Sequence, residues 1–468
     1  MRPSCPPLRQ PCGTMRRRGP SVHVPNRPAF FLSSVISPGP LAMLTAGFPG
    51  GEDASMSDQL LLSGGLLFDG LSAPQPGMGV LVSDGRIASV APVGEFDGYA
   101  GPRQDTAGGT LMPGLVDAHV HLALEATGDV VTTLRQRPMG DLTLRLLENA
   151  QVTLAGGITS IRDLGGVEWL EIAVRDAIRA GRHVGPSMRC AGKALTITGG
   201  HGAWIGIECD GPNDWLRGVR TNVKHGADCI KLIATGGVLT GGVDPLAPHP
   251  AEAELAAAVT MAHDFGLKIT AHAQGARGIA RAVAAGVDSV EHGFELTDAQ
   301  IAIMIDKGVR LVPTLAAMMS LLEMKDRLPA FVRAKAERFG TMHFDSFRRF
   351  VAAGGVVAMG TDAGTPGNRH GENAQELRHM VALGMDPLAA LKAGTSVAAD
   401  LLDFHDRGRV TAGAAADLLL VSGDPVADIA AAADASRHLA VWKDGVRVSL
   451  PRQPALQGFF TPASAAGF

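Results

Sequence analysis

Aromatic residues are scarce in this chain. They make up 4% of 468 residues, with a single tyrosine. A surface that grips nucleic acid by stacking bases is therefore not expected. The chain also lacks a strong charge of either sign, with a formal net charge of −4. That argues against a polyanion or an anionic membrane as the main partner. Cysteine is sparse and odd in number (Cys5, Cys12, Cys190, Cys209, Cys229), without metal-knuckle spacing. A disulfide scaffold is excluded, and reduced thiols in a cytoplasmic protein are the reading. No apolar run is long enough to cross a bilayer. No G-x-S-x-G elbow is present, so nothing points to a serine nucleophile.

What the chain does have is length and 46% hydrophobic content, enough to bury a large core and a smaller second one. Short β-prone runs recur between segments rich in Ala, Leu, Glu and Arg at helical spacing, such as Glu252 to Phe265 and Ala276 to Ala285. Eight strands are predicted: Leu115–His121, Ile158–Asp163, Ser187–Ala194, Ala227–Ala234, Leu267–His272, Ser289–His292, Arg310–Pro313 and Val356–Asp362. Strands alternating with helices imply a parallel sheet, and eight units in about 290 residues fit a (β/α)8 TIM barrel. An open doubly wound sheet is the alternative, but it would not gather so many strand ends around one point.

Those strand ends carry the chemistry. His119 and His121 are two apart on one strand and therefore share a face. Other strands end in His272, in His292 and in Asp362, and Lys231 sits inside an apolar run closing in glycines. Neutral imidazoles and carboxylates at a strand-end cluster suit zinc or a similar divalent ion.

The segments PGLVDAHVHL (113–122), IKLIATGGV (230–238), TAHAQG (270–275), EHG (291–293) and GTDAG (360–364) resemble the amidohydrolase superfamily of metal-dependent hydrolases. TGGHGAW (198–204) and HGENAQELRHMVALGMDPLAALKAGT (370–395) look most like its imidazolonepropionase-like branch, which includes Xaa-Pro dipeptidases. The likeness spans about Met56 to Lys443. It implies two divalent metal ions, with zinc expected. His119, His121 and Asp362 would hold the first ion, and His272 and His292 the second. A carbamate formed on Lys231 from carbon dioxide would join them. The implied reaction is attack of a metal-bridging hydroxide on an amide or peptide carbonyl, with Asp362 shuttling the proton to the leaving nitrogen.

His201, on the glycine-rich loop Thr198-Gly-Gly-His-Gly, is expected to contact the substrate's carbonyl or carboxylate, and His370 and His249 are weaker substrate-binding candidates. Arg162 and Asp163 are expected to pair with each other in the barrel. The Met318, Met319, Leu321 and Leu322 stretch is either a pocket lid or plain helix packing. The expected partner is a small amide, dipeptide or N-acyl amino acid, with release of a C-terminal amino acid. Homo-oligomers are also expected. The alternatives are a cyclic amide, lactone or phosphotriester on the same metals, or a non-enzymatic assembly protein.

Residues 1–55 read as a disordered or non-native extension, with Met56 a plausible start and an exported form the less favoured reading. Residues 56–112 and 405–450 read as one small β-sandwich domain built from both chain ends, residues 113–404 as the barrel, and 451–468 as a tail.

Overall fold

Pro113-Gly114 turns the chain into Leu115–Val120, a strand buried at all six positions. Such a run is apolar throughout because parallel strands are covered on both faces. A computed structural model describes residues 59–450; the expected extension 1–55 and tail 451–468 lie outside them. Among the described residues, Leu115–Val120, Ile158–Asp163 and Ser187–Cys190 form a three-stranded parallel sheet. A second, six-stranded parallel sheet runs in the order Gly206–Glu208, Ala194–Thr196, Ile230–Ile233, Ile269–Ala273, Ser289–His292 and Arg310–Val312.

The expected third strand, Ser187–Ala194, is thus two pieces in two sheets. Gly192, at φ +73°, turns the chain between them. The expected eighth strand, Val356–Asp362, is not a regular strand either. It makes one isolated parallel bridge, Leu311 with Val357; Ala363 just beyond it bridges Val120, and Asp362 between them takes φ +59°. Those bridges still link the two sheets on one side, where Ala118 N–H donates to Met359 O at 2.8 Å. On the other side Asp228 N–H donates to Cys190 O at 2.8 Å. The pairing is two sheets with these seams, not one continuous closed ladder.

Helices fill the connections. Ala276–Ala285 buries Ile279, Ala282 and Val283 on one face and stops at Gly286, whose φ of +98° suits a residue without a side chain. Glu252–Asp264 likewise buries Leu255, Ala258, Val259 and Ala262. Among the described residues no helix is long and apolar enough to cross a membrane.

Both ends of the described chain meet in a smaller β layer. Thr110–Pro113 pairs with Leu66–Leu67 on one side and antiparallel with Leu418–Val421 on the other, which in turn pairs with His438–Lys443. A four-stranded sheet lies apart from this six-stranded one. Leu62, Val82, Ile87, Leu111, Leu418 and Trp442 share one buried cluster drawn from both sheets. Thr110–Pro113 runs directly through Gly114 into the strand bearing His119, so the small layer anchors the start of the site.

Candidate functional site

The imidazoles of His119 and His121 enter one cavity, whose wall also holds Lys231, His272, His292 and Asp362. Ligand-type atoms of His119, His121 and Asp362 all lie within 4.8 Å of one another, close enough to share an ion. Asp362 Oδ1 is 3.5 Å from His119 Nε2 and 3.4 Å from His121 Nε2. The far nitrogen of each ring is held from behind: His121 Nδ1 by the Gly165 carbonyl at 2.9 Å, and His119 Nδ1 by Glu291 Oε2 at 2.7 Å. A carbonyl can only accept, so His121 Nδ1 carries the proton and its Nε2 presents a lone pair beside Asp362. Burial pushes His121 down to about 4 and His119 well below the ordinary histidine range, so both rings are neutral. The same burial pushes Asp362 up to about 7, against the pull of the Lys231 ammonium.

His272 and His292 stand with ring centroids 4.5 Å apart, and His292 is 5.3 Å from His119. His272 Nε2 donates to the Gly236 carbonyl at 2.9 Å, which leaves Nδ1 as an unprotonated donor atom. His292 Nδ1 faces Thr314 Oγ1 at 2.8 Å. Burial lowers both histidines well below their usual range. His292, Thr314 and Asp362 adopt positive φ (+72°, +53° and +59°), a strained backbone for residues with side chains.

Lys231 is 2% exposed, and its Nζ has no hydrogen-bond partner. Burial pushes it down to about 8, opposed by Glu291 and Asp362. An orphaned amine in a nest of neutral imidazoles fits a site built for divalent metal. The donor set therefore fits the group that the sequence motifs imply.

Behind the cavity lie residues that the sequence reading passed over. Glu291 is fully buried and accepts from Arg162 Nη2 and Ser289 Oγ, each at 2.9 Å, and from Thr270 Oγ1. Arg162 and Asp163 do not pair with each other, because neighbours on a strand point to opposite sides. Arg162 goes inward to Glu291, while Asp163 accepts from Leu122 N–H and Gly165 N–H. Asp117 accepts from Thr361 Oγ1 at 2.6 Å and Asn373 Nδ2 at 2.8 Å, tying the His119 strand to the Asp362 segment. Glu291 had one signal in the sequence, a charged residue in a short strand directly beside His292.

A loop continues the wall beside His272, with the His201 ring centroid 4.5 Å from that of His272. His201 Nδ1 pairs with Thr240 Oγ1 at 2.8 Å, and burial pushes this ring down to about 3. Gly237 must be glycine, since a Cβ there would sit 2.4 Å from the His201 ring. Lys335 gives its three protons to the carbonyls of Gly237, Thr240 and Val243 at 3.0, 2.6 and 2.6 Å. Met318 and Leu321, from the helix Leu315–Glu323, line the cavity, whereas Met319 and Leu322 do not. His249 and His370 are not on the cavity wall. His370 is buried and turns its Nε2 to the Leu124 carbonyl at 3.1 Å. His249 instead follows a backbone bridge from Thr235 to Pro248.

Comparison with known proteins places this geometry. The amidohydrolase family matches residues 110–448. The chain is 29% identical to ochratoxinase of Aspergillus niger over 418 residues, covering 82% of this chain and 85% of that protein. It is 27% identical to imidazolonepropionase of Ectopseudomonas mendocina, covering 79% and 93%. A solved Xaa-Pro dipeptidase with methionine bound in its active site superposes with a TM-score of 0.75 at 32% identity, covering 83% of this chain and 99% of that one. The chain belongs to the amidohydrolase family and is a hydrolase acting on amide bonds.

Proposed function

We propose that this chain cleaves the amide bond of an N-acyl amino acid or dipeptide and releases the C-terminal amino acid. The observation that carries the reading is six side chains from five segments facing one cavity, with Lys231 Nζ orphaned among them. In this reading His119, His121 and Asp362 would hold one divalent ion and His272 and His292 a second, and Lys231, as a carbamate, would add an anionic ligand to the site. Zinc suits the nitrogen-rich set. The parallel strands belong to a (β/α)8 TIM barrel, whose strand ends converge at one mouth, and the flanking sheets form a β-sandwich.

Bound divalent ions would supply Lewis acidity toward the carbonyl and acidify the attacking water to near neutral pH. The protein does the rest. Asp362, buried and close to neutral in affinity for a proton, takes that proton and returns it to the leaving nitrogen. His201, neutral and fixed by Thr240, lies beside His272 on the cavity wall, where it would meet the substrate. The Xaa-Pro dipeptidase likeness supports an amide with an amino acid on its leaving side, and the ochratoxinase match supports amide hydrolysis. Zinc-loaded protein assayed against dipeptides and N-acyl amino acids should release a free amino acid. Turnover confined to lactones or phosphotriesters would reject the reading.

A further inference from the structure

The cavity wall is poor in charge. Beyond Lys231 and Asp362 and the histidines, its lining holds no lysine, arginine, aspartate or glutamate. In the proposed metal site both of the charged residues are taken up as ligands. Asp362 faces His119 and His121, and Lys231 sits among the presumed ligands. Leu124, Leu164, Ile205, Leu239, Phe294 and Leu321 make up much of the remaining surface.

Two neutral polar groups interrupt it without partners. The indole nitrogen of Trp204 is buried and donates to nothing, and the carboxamide oxygen of Gln274 is buried and accepts from nothing. Gln274 is 3% exposed. Both residues line the cavity, one three residues after His201 and the other two after His272. One group is a donor and the other carries an acceptor, so each suits a neutral polar partner such as an amide or hydroxyl. Elsewhere on this wall an ammonium would have no counter-charge, and a buried unpaired cation is strongly unfavourable.

Resting on the amide-hydrolase reading above, we propose that the acyl half of the substrate is uncharged and largely apolar. Its neutral polar group is read by Trp204 and Gln274, so that the substrate is an N-acyl amino acid and not a free dipeptide.

The test uses two matched pairs on the full-length, zinc-loaded protein. Heptanoate and 6-aminohexanoate differ by a terminal methyl against an ammonium, and neither can be hydrolysed. Calorimetric titration should show heptanoate binding on the order of 100-fold tighter. Equal binding, tighter 6-aminohexanoate or no binding of either would overturn the proposal. Hydrocinnamoyl-leucine and phenylalanyl-leucine differ only at the α-amino group, and kcat/KM should favour the former by a similar factor. If heptanoate binds preferentially but hydrocinnamoyl-leucine is not cleaved, the amide-hydrolase reading fails while the charge preference stands. Trp204→Phe keeps the ring and removes the N–H, and it should raise KM for an acyl group bearing a hydroxyl by about 3- to 10-fold. For the unsubstituted acyl group KM should not move. An equal effect on both would show that Trp204 only packs.

Discussion

Replacing Glu291 with glutamine tests whether the site depends on a buried carboxylate that touches neither substrate nor metal. The side chain is fully buried, with His119 on one oxygen and Arg162, Ser289 and Thr270 on the other. Glutamine is nearly isosteric but replaces one oxygen with an NH2. If that NH2 faces His119 Nδ1, two donors meet head on, and the ring must move its proton to Nε2, the atom that faces Asp362. If the amide is reversed, the NH2 meets the Arg162 guanidinium instead. Either way a buried donor goes unmet, at about 1–3 kcal/mol. Loss of the charge partner of Arg162, itself 2% exposed, brings the total cost in stability toward roughly 3–5 kcal/mol. Carboxylates behind metal-facing histidines typically contribute 10- to 100-fold in metal affinity, about 1.4–2.7 kcal/mol. Glu291→Gln should therefore melt earlier as apoprotein and release metal to a chelator at 10- to 100-fold lower concentration. Thermal unfolding and elemental analysis after graded dialysis would measure both effects. Unchanged metal retention in a variant that melts earlier would refute the role assigned to Glu291.

Lys231→Arg, which cannot form a carbamate, should lose at least about 100-fold in kcat and retain less metal, as read by steady-state kinetics and elemental analysis. In the apoprotein, Lys231 must be neutral to add carbon dioxide, and its affinity for a proton is lowered to about 8. The neutral fraction grows as pH rises, so at a fixed concentration of dissolved carbon dioxide reactivation by zinc should accelerate about tenfold per pH unit and level off above about 8. A flat profile between pH 6 and 8 would contradict this. Lys335→Met should free the loop 236–243 and raise KM about tenfold, with faster amide hydrogen exchange there; Lys335→Arg should restore part of both. His249→Ala, altering a residue off the cavity wall, should leave kcat/KM within about twofold.

The strand rhythm and the residues at strand ends were legible because each is a local signal. Ile158–Asp163, Ser289–His292 and the helix Ala276–Ala285 keep their sequence-read bounds, with glycines close to their ends. The third and eighth strands misled for a different reason. Their residues are β-prone, but Gly192 and Asp362 take positive φ, a choice imposed by packing and not by composition. The wrong pairing of Arg162 came from sequence neighbourhood, whereas its true partner lies 129 residues away. The same distance hid Glu291, Asp117 and Lys335, each meaningful only through what folding brings beside it.

The pairing of Thr110–Pro113 with Leu418–Val421 has a consequence for how the molecule comes into being. During synthesis the leading edge of that layer emerges some three hundred residues before its neighbour exists. Until then, Leu111 and Met112 present open backbone donors and acceptors to any passing strand. Such a long-range closure is slow, and a nascent chain stalled before Leu418 would be prone to cling to other chains. The segment bearing His119 waits on the same late event, so the catalytic mouth is locked in register only when the last strands arrive.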